Sequence, residues 1–229
     1  MCSAASGLRA YAGRRFITRQ PTAQGHIRFM NLFNEANTSD SLIYYGGSFN
    51  PPHIAHVLMV SALHAYFPLA RIWVAPTYQH AFNKSLMPYD LRLKMLENAI
   101  GHIENVTIST IERDLHEATS YTIDVVREIL RREPHTKIWI TVGSDILESL
   151  HKWRNYEELC ELAHFMVFPR QGYDNTHALP IPMLPEVSSS QIRERISQGK
   201  DIHGLVPHAV CEMLDAYHAD NEIEPDNHK

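Results

Sequence analysis

From Leu42 onwards the chain alternates short apolar runs with longer helical patterns, and this alternation limits the fold more than any other feature. The runs 42–45, 72–75, 106–111, 138–142 and 165–168 are short, apolar and rich in β-branched or aromatic residues, as strands are. Between and after them, 53–66, 89–100, 122–132, 156–162, 189–198 and 207–218 read as helices. Leu91, Met95, Asn98 and Ala99 lie near one stripe of the second helix, and Val210, Leu214 and Tyr217 near one stripe of the last. Strictly alternating strands and helices imply a parallel sheet covered on both faces. Ligands of such sheets bind beyond the carboxyl ends of the strands, where strand order reverses, so chemistry is sought in the residues that follow each run.

The first run leads into Y-G-G-S-F-N-P-P-H-I-A-H, Tyr45 to His56. Two glycines and two prolines turn the chain, and a helical pattern begins at Ile54. Gly46 and Gly47 would let a ligand approach the backbone. A helix N-terminus leaves amides unpaired and attracts anions, and His53 and His56, three residues apart, share one helical face. Both imidazoles can therefore reach one anion. The plain alternative is a glycine-rich turn whose histidines only cap or solvate a helix end.

Later strand ends add polar residues. A long irregular stretch, 75–84, ends in Lys84, and a loop of that length is usually functional or mobile. Thr119, Ser120 and Thr122 can cap the helix that follows Tyr121, and backbone amides there can hold a carboxylate or phosphate. Gly143-Ser144-Asp145 offers backbone and carboxylate to a ribose. Trp153 is suited to stacking on a flat ligand, or equally to lidding the core. Ser188, Ser189 and Ser190 precede Arg193, which makes a second helix start that attracts anions, or a solvated cap.

In this order, these stretches resemble the nucleotidyltransferase superfamily. G-G-S-F-N-P-P-H-I-A-H is similar to its glycine, small hydroxyl, Phe, Pro, His-x-Gly-His signature. Thr119–Thr122, the Trp153 segment, Arg170-Gln171-Gly172 and Ser188-Ser189-Ser190-Gln191-Ile192-Arg193 are most similar to segments of the nicotinate-nucleotide adenylyltransferases. The resemblance covers about residues 42 to 217. One departure is Ala55, where the family has glycine; its methyl group is expected to crowd an adenosine and loosen ATP binding. The resemblance implies a doubly wound, Rossmann-like α/β fold with the first strand central. It also implies adenylyl transfer from ATP to nicotinate mononucleotide, with the nicotinamide form a poorer substrate. By the same resemblance His53, His56, Lys84 and Arg193 are catalytic, and Gly46, Gly47, Ser48, Phe49, Ser189 and Ser190 bind ATP or its phosphates. Thr119, Ser120, Tyr121, Thr122, Asp145 and Trp153 are implied to bind the mononucleotide, with Asp145 near the sugar. Mg²⁺ is implied with ATP as co-substrate, held by phosphates and water rather than by protein metal ligands. Alternatives are a relative acting on another small phosphate, such as nicotinamide mononucleotide, phosphopantetheine or a phospho-alcohol, or a non-catalytic nucleotide sensor.

Composition narrows the partners. A net charge of −5 argues against a nucleic-acid polymer, whose non-specific binding needs a basic surface. Cys2, Cys160 and Cys211 form neither a disulfide framework nor a zinc site and suit a reducing, cytoplasmic setting. No apolar run approaches ~20 residues, so no membrane span is expected. Residues 1–38 carry Arg9, Arg14, Arg15, Arg19 and Arg28, with no acidic residue before Glu35. That leader is expected to be a disordered extension or to precede a true start at Met30; an organelle-targeting segment is the alternative. A single domain is expected over 39–220 and a polar tail over 221–229, with homo-oligomerisation left open.

Overall fold

In the computed structural model, residues 33–79, 86–115, 121–176 and 178–221 are described. Five strands form one sheet: β1 (Ser41–Gly47), β2 (Arg71–Pro76), β3 (Val106–Ile108), β4 (Lys137–Gly143) and β5 (Ala163–Phe168). All neighbours are parallel, in the order β3-β2-β1-β4-β5. The first strand is central, and the order reverses between β1 and β4, which puts the ligand crevice beyond those two strand ends.

Helices α1 (Ile54–Tyr66), α2 (Tyr89–Ile100), α3 (Ile111–Asp114), α4 (Thr122–Arg132), α5 (Tyr156–Leu162), α6 (Ser189–Ser197) and α7 (His208–Asn221) connect and follow the strands, with a 3-10 helix over Ser144–Lys152. Alternate strand residues point to opposite faces. Ile43, Ile72, Val74, Trp139, Met166 and Phe168 accordingly join Met59, Val60, Leu63, Met95, Leu96, Val210 and Leu214 in one core. Leu42, Tyr44, Ile138, Ile140, Val142, Phe165 and Val167 join Ile123, Val126, Ile129 and Leu159 in the other. Central strands buried on both sides explain why their sequences read as continuous apolar runs.

Three expectations change. The third strand is shorter than 106–111: Ser109 Oγ accepts from the Ile111 amide at 3.3 Å, a local turn that ends the strand and starts α3. On α2 the buried stripe takes in Arg92, Leu96 and Ile100, while Asn98 is exposed. Arg92 is buried because its Nε donates to Met87 O at 3.0 Å and its Nη1 to Ser48 O at 2.9 Å, which satisfies the charge with backbone carbonyls. Finally, Phe33 and Ala36, assigned to the leader by composition, belong to the folded part; Phe33 stacks on Phe67 with centroids 4.5 Å apart. The remainder of the leader and the tail beyond Asn221 lie outside the described residues.

Candidate active site

The turn after β1 is shaped first by its own aromatic rings. A Cβ at Gly46 would lie 2.9 Å from the Tyr44 ring, and one at Gly47 3.2 Å from the Phe49 ring. The glycines thus make room for Tyr44 and Phe49, in addition to any ligand. Phe49 itself is buried with φ +45°, a left-handed conformation that costs a non-glycine residue about 1 kcal/mol or more and persists here because the ring is locked into the core.

Behind this turn His53 is the N-cap residue of α1. The helix start is less open to anions than the sequence suggests. The His53 amide donates to His56 Nδ1 at 3.1 Å, the Ile54 amide to Leu205 O at 2.9 Å and the His56 amide to His53 O at 2.9 Å, so three of the four amides that a helix start leaves without an i−4 partner are engaged. The fourth belongs to Ala55, which is buried and lines neither cavity described below, so the expected crowding of an adenosine by its methyl group has no support in the geometry.

The imidazoles carry the chemistry instead. Their rings stack with centroids 3.6 Å apart, and the edge of Phe49 packs on His56 at 4.8 Å. The His53 amide donates to His56 Nδ1 at 3.1 Å, which makes Nδ1 an acceptor and places the proton of neutral His56 on Nε2. Burial, and then the Arg170 charge, push the His53 pKa down to about 4. Burial, His53 and Arg170 hold that of His56 well below its ordinary value. Both are neutral at neutral pH, and His53 Nδ1 is buried with no hydrogen-bond partner among the described residues.

Helix α6 delivers the second set of groups to the same turn. Its cap is Ser188, whose Oγ accepts from the Gln191 amide at 3.2 Å while Gln191 Oε1 accepts from the Ser188 amide at 2.9 Å, a reciprocal capping box. That frees Ser189 to donate to Pro51 O at 2.9 Å and Arg193 Nη1 to donate to Asn50 O at 2.6 Å, while Arg193 Nη2 donates to Ser190 Oγ at 3.1 Å. Helix α6 and the turn after β1 are stitched together over 138 and 143 positions of sequence. Between them opens a cavity of about 590 Å³ whose lining includes His53, His56, Arg193 and Arg170. Asp145 faces this cavity, 3.7 Å from Arg170 Nε, and not the one that holds Trp153. The sequence grouped Asp145 with Trp153, but the two line different cavities: the 3-10 helix that begins at Ser144 turns the carboxylate towards Arg170 beyond β5.

A second cavity of about 540 Å³ lies on the other side of the β1 end, and the two meet at Ser48. Gly46, Gly47, Tyr121, Thr122 and Trp153 line it. Trp153 is half-buried and packs edge-on against Phe165, centroids 6.4 Å apart, leaving it on the wall of the cavity. Arg154 lies 4.7 Å over the Tyr121 ring. Gly46 and Gly47, grouped by the sequence with the ATP residues, thus border the Trp153 side. Lys84, Thr119 and Ser120 lie outside the described residues. Sequence reasoning missed Tyr44, Thr77, Glu112, Thr141 and Lys152 on the wall of this cavity, and quoted Arg170 without assigning it a role. Arg170 carried a usable signal, a guanidinium just past a strand end. Glu112 did not, because Glu112-Arg113-Asp114 reads as a solvated charge run.

No group of three or more His, Cys, Asp or Glu among the described residues is arranged to hold a metal ion. Among the described residues, no helix is long and apolar enough to cross a membrane.

Comparison with known proteins places this architecture. Residues 44–195 match the family model described as Cytidylyltransferase-like. The chain is 33% identical over 173 residues to a "Probable nicotinate-nucleotide adenylyltransferase" of Anaeromyxobacter dehalogenans, covering 75% of this chain and 91% of that one. It is 34% identical to the protein of that name in Geobacillus thermodenitrificans, covering 72% and 79%. Among solved structures, Plasmodium falciparum nicotinic acid mononucleotide adenylyltransferase complexed with NaAD superposes with a TM-score of 0.67 over 79% of this chain and 97% of that chain, at 20% identity, a likeness of fold. With its central first strand, its paired histidines and these relatives, the chain belongs to the cytidylyltransferase-like nucleotidyltransferases and, within them, to the nicotinate-nucleotide adenylyltransferase family.

Proposed function

We propose that the protein transfers the adenylyl group of ATP to nicotinate mononucleotide, giving nicotinate adenine dinucleotide and pyrophosphate. The observation that carries this reading is the pair of cavities meeting at Ser48, one walled by Trp153 and the other by imidazoles and guanidinium groups. In this reading the mononucleotide occupies the Trp153 side and the triphosphate the His53 side, so the mononucleotide phosphate meets the α-phosphorus at the end of β1. A phosphate oxygen forms the new bond to the α-phosphorus as the bond to the bridging oxygen of pyrophosphate breaks. No protein nucleophile is needed, so positioning and neutralisation of developing charge supply the catalysis.

His56 Nε2–H donates to a phosphate oxygen as a neutral group whose direction is fixed from behind by the His53 amide. Arg193 and Arg170 supply permanent positive charge, and Arg193 is held in place by Asn50 O and Ser190. Lys84 is assigned to the phosphates by the family pattern alone. Mg²⁺ enters with ATP as part of the substrate. The groups of the cavity suit this division: its positive side chains meet phosphate oxygens, and of the two carboxylates on its described wall, Asp145 and Glu186, the first is already beside Arg170.

The test is to incubate the protein with MgATP and nicotinate mononucleotide and to follow pyrophosphate and dinucleotide together. Equal amounts of both are expected, with CTP in place of ATP giving far less. Turnover with CTP but not ATP, or pyrophosphate without dinucleotide, would sink the reading.

A further inference from the structure

Glu112 is the one acidic side chain among the described residues lining the Trp153 cavity, and nothing above gives it a task. It sits on α3 and is only 6% exposed. Two donors from other elements hold it: the Tyr44 phenol of β1 donates to Oε1 at 2.9 Å, and the Tyr78 amide beyond β2 donates to Oε2 at 3.2 Å. Burial, with the nearby Glu112 charge, keeps the Tyr44 phenol protonated, so it remains a donor throughout the working pH range. Removing a carboxylate from water is expensive unless hydrogen bonds support it, and here the support comes from behind, from two strand ends that also form the cavity.

A carboxylate is purely an acceptor, so its partner in the cavity is a donor. Lys152 and Arg154 on the same wall suit the anionic parts of a mononucleotide. The neutral donors that such a ligand carries are its ribose hydroxyls. An acidic side chain that accepts from ribose hydroxyls near a parallel-strand end is a recurring solution in nucleotide-binding sheets. Asp145, which the sequence offered for that purpose, faces the other cavity.

We infer that Glu112, oriented by Tyr44 and Tyr78, accepts hydrogen bonds from the ribose hydroxyls of the mononucleotide and makes the enzyme selective for ribo over deoxyribo substrates. This rests on the placement of the mononucleotide proposed above.

The experiment measures kcat/KM at saturating MgATP for nicotinate mononucleotide and its 2′-deoxy and 3′-deoxy analogues, with wild type and Glu112→Gln. Wild type should prefer the ribonucleotide over at least one analogue by roughly tenfold to a hundredfold, the worth of a hydrogen bond to a charged group. In Glu112→Gln that preference should shrink to within about threefold, through a higher KM for the ribonucleotide, while KM for ATP holds. A merely structural role would lower activity on all three substrates alike and leave their ratio intact. Wild type that uses all three equally overturns the inference even if the variant fails to fold, and so does a variant that keeps the wild-type ratio. Absence of product with any pyridine mononucleotide, while ATP still binds, would instead overturn the proposed function itself, and this assignment with it.

Discussion

At the scale of single residues, the paired histidines differ from solvated cap residues in their direction and charge. His56 presents Nε2–H because its Nδ1 is engaged by the His53 amide. His56→Ala is expected to lower turnover by about 10² or more. Stability should fall by only about 1 kcal/mol, for the orphaned amide and lost ring packing. Activity per folded molecule and thermal melting, measured on the same sample, separate the two effects. The depressed pKa values also fix an acid limit. An unfolded histidine takes a proton near pH 6.5, whereas folded His53 resists until about pH 4. The unfolded state therefore binds more protons between these values, so stability is fully present above pH 6.5 and is lost as pH falls towards 4. Urea midpoints across that range should decline less steeply in His53→Asn than in wild type. Ala55 belongs to the same turn, and since it lines neither cavity, Ala55→Gly should leave ATP affinity unchanged and lower stability by up to ~1 kcal/mol. Titration calorimetry with ATP, beside a melting curve, checks both parts.

At the scale of elements, the site depends on α6 being held against the β1–α1 turn. The Ser188 capping box starts the helix cleanly, and Ser189 and Arg193 then reach Pro51 O and Asn50 O. From the opposite side Arg92 of α2 holds Ser48 O, so two helices clamp one loop by its carbonyls. Ser188→Ala should cost about 1 kcal/mol of stability. Because the frayed turn carries Arg193, KM for ATP should rise more than KM for the mononucleotide. Equal change in both constants, or in neither, would show that the cap is uncoupled from the site.

At the scale of the whole molecule, the parallel sheet gathers both cavities at one edge, where β1 and β4 part company. The Trp153 side carries Lys152 and Arg154 and the start of α4, whose amides and dipole favour an anion. A carboxylate on the pyridine ring should therefore be preferred to a neutral amide by roughly tenfold to a hundredfold, the worth of one charge-assisted hydrogen bond. Side-by-side kcat/KM values for nicotinate and nicotinamide mononucleotide decide it. Equal values would assign the ring recognition to stacking on Trp153 alone.

The order of strands and helices, the parallel sheet and the two helix-start turns that carry the histidines and Arg193 were legible in the sequence, because hydrophobic period and turn residues are local properties. Ranges such as Tyr89–Ile100, Thr122–Arg132 and Tyr156–Leu162 follow from periodicity and caps within a few residues of themselves. Tertiary structure alone decided what those residues face. Asp145 turned to Arg170 and away from Trp153; the amides at the start of α1 went largely to carbonyls; Gly46 and Gly47 proved to seat the rings of Tyr44 and Phe49. Glu112 shows the limit most plainly. Beside Arg113 and Asp114 it reads as a surface charge, yet a phenol 68 positions away holds it on the wall of the cavity. Burial and partnership are set by contacts between distant segments, and local pattern carries no record of them.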